Sequence, residues 1–374
     1  MKEVFKKTSY EQKLAELECS GSALAQPALA ALGLAAGGYL AAVAARKWLF
    51  AAGLKKTEKL PRPVISVGNI EAGGTGKTPL VCLLAQLLQK AGVRPAVVSR
   101  GWRGTAKGPV NVVSGGEGVL LTAGEAGDEP YLMARLLPGV PVITGRRRAE
   151  PARAAIRLFG AEVVLLDDGF QHFALARDLD IVVVGDALAR KNPRLLPRGL
   201  LREPLSALAR ADVLVLANSQ GAGLARVLAE CFPNKPRFHA RHVPERLRGV
   251  WHQGGEAGAE WLAGRRVVAF CGIGGPERFR RMLQGLKAEL VGFQAFPDHH
   301  AYRQEDLRAL RAVAEEKRAI LLTTEKDAAR LSDYPPAGEF FWALGVRLVV
   351  EEEAELAALV LKAAGVRGNC GRED

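Results

Sequence analysis

Residues 67–79 read VGNIEAGGTGKTP, in which Gly73, Gly74 and Gly76 lead into Lys77 and Thr78. Glycines let a main chain curl closely around phosphate oxygens. A lysine beside them reaches the β- and γ-phosphates, and a neighbouring hydroxyl can ligate Mg²⁺. The usual form of such a loop is G-x-x-x-x-G-K-[ST], and here Glu71 stands where its first glycine belongs. That position supports the start of the loop, so a side chain pointing out of it leaves the device intact. The expected nucleotide-binding set is therefore Glu71, Ala72, Gly73, Gly74, Thr75, Gly76, Lys77 and Thr78.

Acidic and basic groups follow at suggestive places. In AEVVLLDDGFQH, Asp167 and Asp168 come directly after four apolar residues. A carboxylate at the C-terminal end of such a strand can hold Mg²⁺ near a bound nucleotide, whereas Asp-Asp-Gly alone would also suit a plain turn. Asp128 and Glu129 in AGEAGDEP open a helical pattern, where Asp128 reads equally as an N-cap. FPDHHAY supplies Asp298, His299 and His300. Two adjacent histidines on a strand would point to opposite sides, against joint metal ligation. A histidine–carboxylate pair across a cleft would instead suit proton removal from a hydroxyl. Arg100 and Arg103 follow the apolar run AVVS, and Arg146, Arg147 and Arg148 follow VPVIT. As a set they could hold a phosphorylated substrate.

These groups need a scaffold, and the hydrophobic pattern supplies one. PVISVG is a continuous apolar strand and KTPLVCLLAQLLQKAG a helix with an apolar stripe, so the glycine turn sits between a strand and a helix N-terminus. From Pro61 onward short β-branched runs (PVISVG, RPAVVS, VPVIT, AEVVLLDD, LDIVVVG, ADVLVLA) alternate with helices near 77–91, 129–137 and 147–159. That rhythm predicts a doubly wound, mostly parallel sheet of the P-loop NTPase kind. A stretch of weak periodicity around 240–250 predicts a boundary between a nucleotide-binding domain at 58–245 and a smaller α/β domain at 246–374.

The N-terminal segment, 1–57, is different. Residues 19–45 carry no charge, and Arg46, Lys47, Lys55 and Lys56 follow. Gly, Ser, Gln and Pro27 dilute the run for a bilayer-spanning helix, and the mixed charges before it do not suit a signal peptide. The expectation is a helix lying in or against the bilayer with a basic flank toward anionic headgroups, the alternative being a buried alanine-rich core helix. The chain's net charge of +12 also calls for an acidic partner. Aromatic residues are only 6%, with no aromatic–basic repeat, so nucleic acid is not expected. Five cysteines without CxxC spacing speak against a zinc site or disulfide framework.

The GGTGKT core resembles the loop of partition-type ATPases, but Ala72 stands where those carry their signature lysine. Taken together, VGNIEAGGTGKTP, SRGWRG, GDEP, LLDDGFQH, LPRGLLREPLSAL, CGIGGPERF, FPDHHAY and LLTTEKDAARL resemble, in order, the tetraacyldisaccharide 4′-kinases of lipid A biosynthesis. They cover most of residues 61–331. Departures are SRGWRG for SRGYGR, Gly275 for asparagine, and an unmatched start. The resemblance implies transfer of the ATP γ-phosphate, with Mg²⁺, to the 4′-hydroxyl of an acylated glucosamine disaccharide 1-phosphate at the cytoplasmic face of the bacterial inner membrane. It implies a dyad in which Asp128 accepts the hydroxyl proton and His299 orients or tunes it. It also places Asp167, Asp168 and Gln171 near metal and nucleotide, with Glu203 of LREP in the metal environment. The rival classes are a membrane-associated P-loop GTPase and a nucleotide-switched binding protein. For the former, TTEKDAARL offers Lys326 and Asp327 side by side, without the single residue that separates them in N/T-K-x-D.

Overall fold

The computed structural model describes residues 14, 17, 18, 25–185, 188, 193–217, 222–250, 255–331 and 341–366. Residues 19–24 of the uncharged run lie outside them. The first long element is α1, Ala25–Ala51, 27 residues with Leu34, Leu40 and Trp48 exposed. It is long and apolar enough to cross a membrane, and none of its most apolar window is buried. The alternative of a packed core helix is thereby excluded.

Behind it the chain alternates as the hydrophobic pattern requires. β1 (Val64–Gly68), β2 (Pro95–Ser99), β5 (Val163–Asp167), β6 (Leu179–Val184) and β7 (Val213–Ala217) are buried along their whole length. Strands covered on both faces need no polar alternation, which is why they read as unbroken apolar runs. Between them lie α2 (Lys77–Lys90), β3 (Asn111–Ser114), α3 (Ala123–Ala126), α4 (Asp128–Leu136), β4 (Val142–Thr144) and α5 (Ala149–Phe159), and α6 (Ala222–Cys231) follows β7. The helix α2 lays Leu80, Val81, Leu84 and Leu88, at helical spacing, against Ile65, Val67 and Leu165 of the sheet.

The second half comprises β8 (Arg237–Val250), β9 (Glu256–Gly258), β10 (Arg266–Cys271), α7 (Pro276–Gly285), β11 (Glu289–Ala295), α8 (Gln304–Glu316), β12 (Ile320–Thr324), α9 (Glu325–Leu331), β13 (Phe341–Val350) and α10 (Glu353–Ala363). Both halves share one sheet, ordered β11-β10-β12-β13-β8-β7-β6-β1-β5-β2-β4-β3, with β9 paired to β8. The expected boundary between 245 and 246 falls inside β8. The weak periodicity there belongs to a strand with Phe238 and Ala240 turned into the core and His239 and Arg241 outward, broken by Pro244 beside a bulge at Gly345/Val346. Moreover, Leu348, Val350, Leu356 and Val360 from the C-terminal end join the core around α2.

The antiparallel ribbon β8–β13 sets the shape of the site. β7 pairs with Arg237–Ala240 at one end of β8, and β12 pairs with Trp342–Leu344, opposite Leu247–Gly249 at the other end. In both cases the C-terminal end of the attached strand faces the middle of the ribbon. The two parallel halves therefore present their C-terminal edges to each other, across roughly 20 Å of ribbon at ~3.3 Å per residue.

Candidate active site

A cleft of about 690 Å³ fills that gap, lined by Gly73, Lys77 and Thr78 from one edge, His242 and Arg246 from the ribbon, and Lys326 from the other edge. Its size suits a nucleotide. Gly76 has φ +94°, and a methyl added to it would stand 2.7 Å from the His242 ring, so the loop needs glycine there. Gly73, at φ +113°, and Gly74 both border open space. Asn69 Nδ2 donates to Thr75 Oγ1 at 2.8 Å, and the Ala72 amide donates to Leu200 O at 2.7 Å, so both ends of the loop are pinned. Glu71 is buried, and its Oε1 accepts the Gly185 amide at 2.8 Å. The odd residue of the motif thus braces the loop against the end of β6.

Lys77 Nζ lies 3.4 Å from Asp168 Oδ1. Asp168, in the left-handed region at φ +53°, is also held by Arg202 Nη1 at 2.8 and 3.0 Å. Burial works against its charge, but Lys77 and Arg202 together hold the carboxyl down at about 2. Asp167 is the opposite case. One oxygen accepts from Ser99 Oγ at 2.9 Å, while the buried Oδ1 has no protein partner among the described residues. Burial, then the charges of Glu129 and Asp168, push this carboxyl up to about 7. An orphaned carboxylate oxygen buried near a phosphate loop and a threonine hydroxyl fits a hard divalent cation such as Mg²⁺, for which these would be the oxygen donors. Glu203 stands differently from that expectation. Its oxygens are taken by Arg210 at 2.9 and 3.1 Å and by Gln171 Nε2 at 3.0 Å, so it props Gln171, which also donates to Asn69 O.

Across the cleft, His299 Nδ1 donates to Asp128 Oδ2 at 2.8 Å, and Arg330 Nε donates to the same oxygen at 2.6 Å. Asp128 is not the cap of α4. That place belongs to Gly127, and the carboxylate turns instead to the second half of the chain. Burial would raise its proton affinity, but the His299 hydrogen bond and the Arg330 charge hold the carboxyl below its ordinary value. Beside it, Glu129 pairs with Lys326 at 2.9 Å and also feels the charges of Lys77 and His299. The start of α4 therefore lies between the phosphate loop and the histidine.

The five candidate arginines do not act alike. Arg148 is buried with its Nε unpartnered among the described residues, while Nη1 donates to Arg146 O. Burial, then the neighbouring charge of Arg100, lowers its proton affinity, with Arg46 of α1 adding to the same effect. His172 is driven down to about 4 by burial and then by Arg148, Arg46, Arg177 and Arg100. These cations thus gather beside the Asp167–Asp168 pair. Arg103 reaches across to donate to His299 O at 2.9 Å, whereas Arg146 is exposed and Arg147 lies on the surface near Glu150. Sequence reasoning passed over Asn69, Arg202 and Arg330. Each stands inside a motif quoted above, VGNIEAGGTGKTP, LPRGLLREPLSAL and LLTTEKDAARL, which was the one signal that could have found it. Asp327, which the GTPase reading would set on a guanine, is fully buried and bonded to Gly272, Tyr302, Thr324 and Arg330.

A family model described as tetraacyldisaccharide-1-P 4′-kinase matches residues 28–364. Among curated relatives, a tetraacyldisaccharide 4′-kinase of Syntrophus aciditrophicus is 42% identical over 337 residues, covering 87% of this chain and 90% of the relative. One of Anaeromyxobacter dehalogenans (strain 2CP-C) is 45% identical over 341 residues, 88% of each. Among solved structures, LpxK from Aquifex aeolicus in complex with ATP aligns with a TM-score of 0.72 at 35% identity, covering 90% of this chain and 99% of that one.

Proposed function

The chain belongs to the tetraacyldisaccharide-1-P 4′-kinase family, ATP-dependent transferases that phosphorylate a hydroxyl, and we propose how its residues divide that work. The loop from Gly73 to Thr78 and the dipole of α2 bind the triphosphate. Lys77, which pairs with Asp168 at the loop, reaches the phosphate oxygens of the nucleotide. Thr78 and the free oxygen of Asp167 would hold Mg²⁺, with Asp168 beside them. When bound, that ion neutralises charge on the phosphate oxygens. Gln171 borders the nucleotide, and Glu203 keeps it in place.

Asp128 takes the proton from the 4′-hydroxyl of tetraacyldisaccharide 1-phosphate, and His299 orients that carboxylate. Arg148, with Arg100 nearby, binds an acceptor phosphate, and Arg103 steadies the His299 loop. The acceptor reaches this pocket from the bilayer. Tyr39 of α1 donates to Arg202 O at 3.0 Å, and the ring of Phe50 packs 5.8 Å from that of Phe173, so the apolar helix rises beside the cation cluster. Its exposed face enters the cytoplasmic leaflet of the inner membrane, and the basic flank meets anionic headgroups.

The observation that carries this reading is the Asp128–His299 contact across the cleft, with Lys77 close enough to act on the neighbouring Glu129. The experiment is transfer of label from [γ-³²P]ATP to the acylated disaccharide 1-phosphate, followed by chromatography of the lipid. Lys77→Ala should lower transfer about 10²-fold or more. Asp128→Asn should lower it about 10²- to 10⁴-fold while ATP still binds. Turnover by Asp128→Asn at the parent rate would overturn the assignment.

A further inference from the structure

The stretch TTEKDAARL, residues 323–331, has no part in the phosphate loop or the metal carboxylates, yet its arginine, Arg330, ends on the proton acceptor. Asp327 is the fixed point. It is fully buried and accepts from the Gly272 amide at 2.9 Å, Tyr302 Oη at 2.8 Å, Thr324 Oγ1 at 2.6 Å and Arg330 Nη1 at 3.0 Å. The Gly272 carbonyl then accepts from both Nη1 and Nη2 of Arg330 at 3.0 Å, and from the His299 amide at 3.0 Å. One carbonyl thus sets Arg330 and His299 in register. Their two donors converge on Oδ2 of Asp128, and Oδ1 has no protein partner among the described residues.

We propose that Arg330 is a positioning residue for phosphoryl transfer: together with His299 it occupies Oδ2 of Asp128 and so directs Oδ1 at the acceptor hydroxyl. The proposal rests on the reading of Asp128 as the proton acceptor. A carboxylate at a helix start can swing about its side-chain torsions, and two donors on one oxygen remove that freedom. The planar guanidinium is itself anchored on Asp327 and the Gly272 carbonyl, both in the second half of the chain, so it holds the carboxylate in a fixed plane.

Several charged groups surround the carboxylate. Asp298 and His299 come from the loop after β11, and Lys326, Asp327 and Arg330 from α9. Glu129 lies on its own helix, and Arg103 reaches the His299 carbonyl. Of these, His299 and Arg330 touch the carboxylate. Without Arg330 a largely buried carboxylate keeps one donor, and its proton affinity rises. Since only the ionised form accepts a proton, activity would then be lost at a higher pH on acidification.

The test measures kcat and both KM values against pH, using the full chain in mixed micelles with ATP, Mg²⁺ and the acylated disaccharide 1-phosphate. Arg330→Met, Arg330→Lys and Asp128→Asn are compared with the parent, and folding is followed by thermal unfolding. Arg330→Met should lower kcat about 10- to 100-fold with the KM for ATP unchanged. The acidic limb of kcat/KM should move up by about one pH unit. Arg330→Lys, which keeps the charge without the planar fork, should return the limb toward its parent position and leave kcat reduced. An unmoved limb in Arg330→Met overturns the proposal, because a merely structural brace would lower stability and leave the limb in place. If Arg330→Met does not fold, Arg330→Lys decides, and a parent kcat there overturns the proposal. If Asp128→Asn turns over like the parent, the proton-acceptor reading fails and takes this one with it. With Asp128→Asn inactive, failure of the Arg330 results removes the Arg330 role alone.

Discussion

At the residue scale, the two carboxylates of the DD pair show how neighbours in sequence acquire different chemistry. Asp167 is sealed in the sheet with one oxygen unpartnered among the described residues, whereas Asp168 is turned out by its left-handed backbone toward Lys77 and Arg202. Nothing in the letters DD distinguishes them. The arginines make the same point. Arg146, Arg147 and Arg148 are consecutive, but only Arg148 is buried, because α5 begins at the next residue and turns it inward. Arg148→Ala should therefore raise the KM for the lipid acceptor about tenfold and leave the KM for ATP near the parent value. Steady-state kinetics with each substrate varied separately would check this; an equal rise in both KM values would remove Arg148 from the acceptor site.

At the element scale, the loop between β1 and α2 works because its glycines adopt backbone that other residues resist. Gly76→Ala would place a methyl against His242 and force φ +94° on a residue with a Cβ. That strain is expected to cost about 1–3 kcal/mol. A fall of several degrees in the unfolding midpoint and loss of ATP binding by calorimetry are the expected results; unchanged ATP affinity would show that the loop can relax around the methyl group. The helices α4 and α9 illustrate what pattern reading misses. The first is legible as a short helix and the second is not read as one, and their meeting depends on partners far apart in the chain, Asp128 with His299 and Arg330.

At the scale of the whole molecule, the ribbon β8–β13 builds the cleft. It reverses strand direction between the halves and joins them at opposite ends, so two C-terminal edges that would otherwise point apart enclose one space. The helix α1 is tied to this body through Tyr39 and Phe50, beside the arginines proposed to hold the acceptor. Trp48→Glu on its exposed face should weaken binding to anionic vesicles and raise the apparent KM for acceptor in vesicles. The basic flank should make vesicle binding weaken as salt rises. Flotation across a salt series measures both, and binding indifferent to the glutamate would place the contact elsewhere.

The sequence by itself determined the phosphate loop and the buried parallel strands, since each is written in contiguous residues of characteristic spacing, whereas the exposure of the apolar first helix was decided by the structure. It also marked Asp128 and His299 as candidates through short motifs. Tertiary structure alone decided that those two meet, that Glu203 supports Gln171, and that Arg330 reaches Asp128. It also decided that a stretch read as a domain boundary is the strand joining both halves. Local pattern reports which face of an element is buried. The partner on that face is chosen by strand order, register and the direction of a ribbon, which bring together residues distant in sequence.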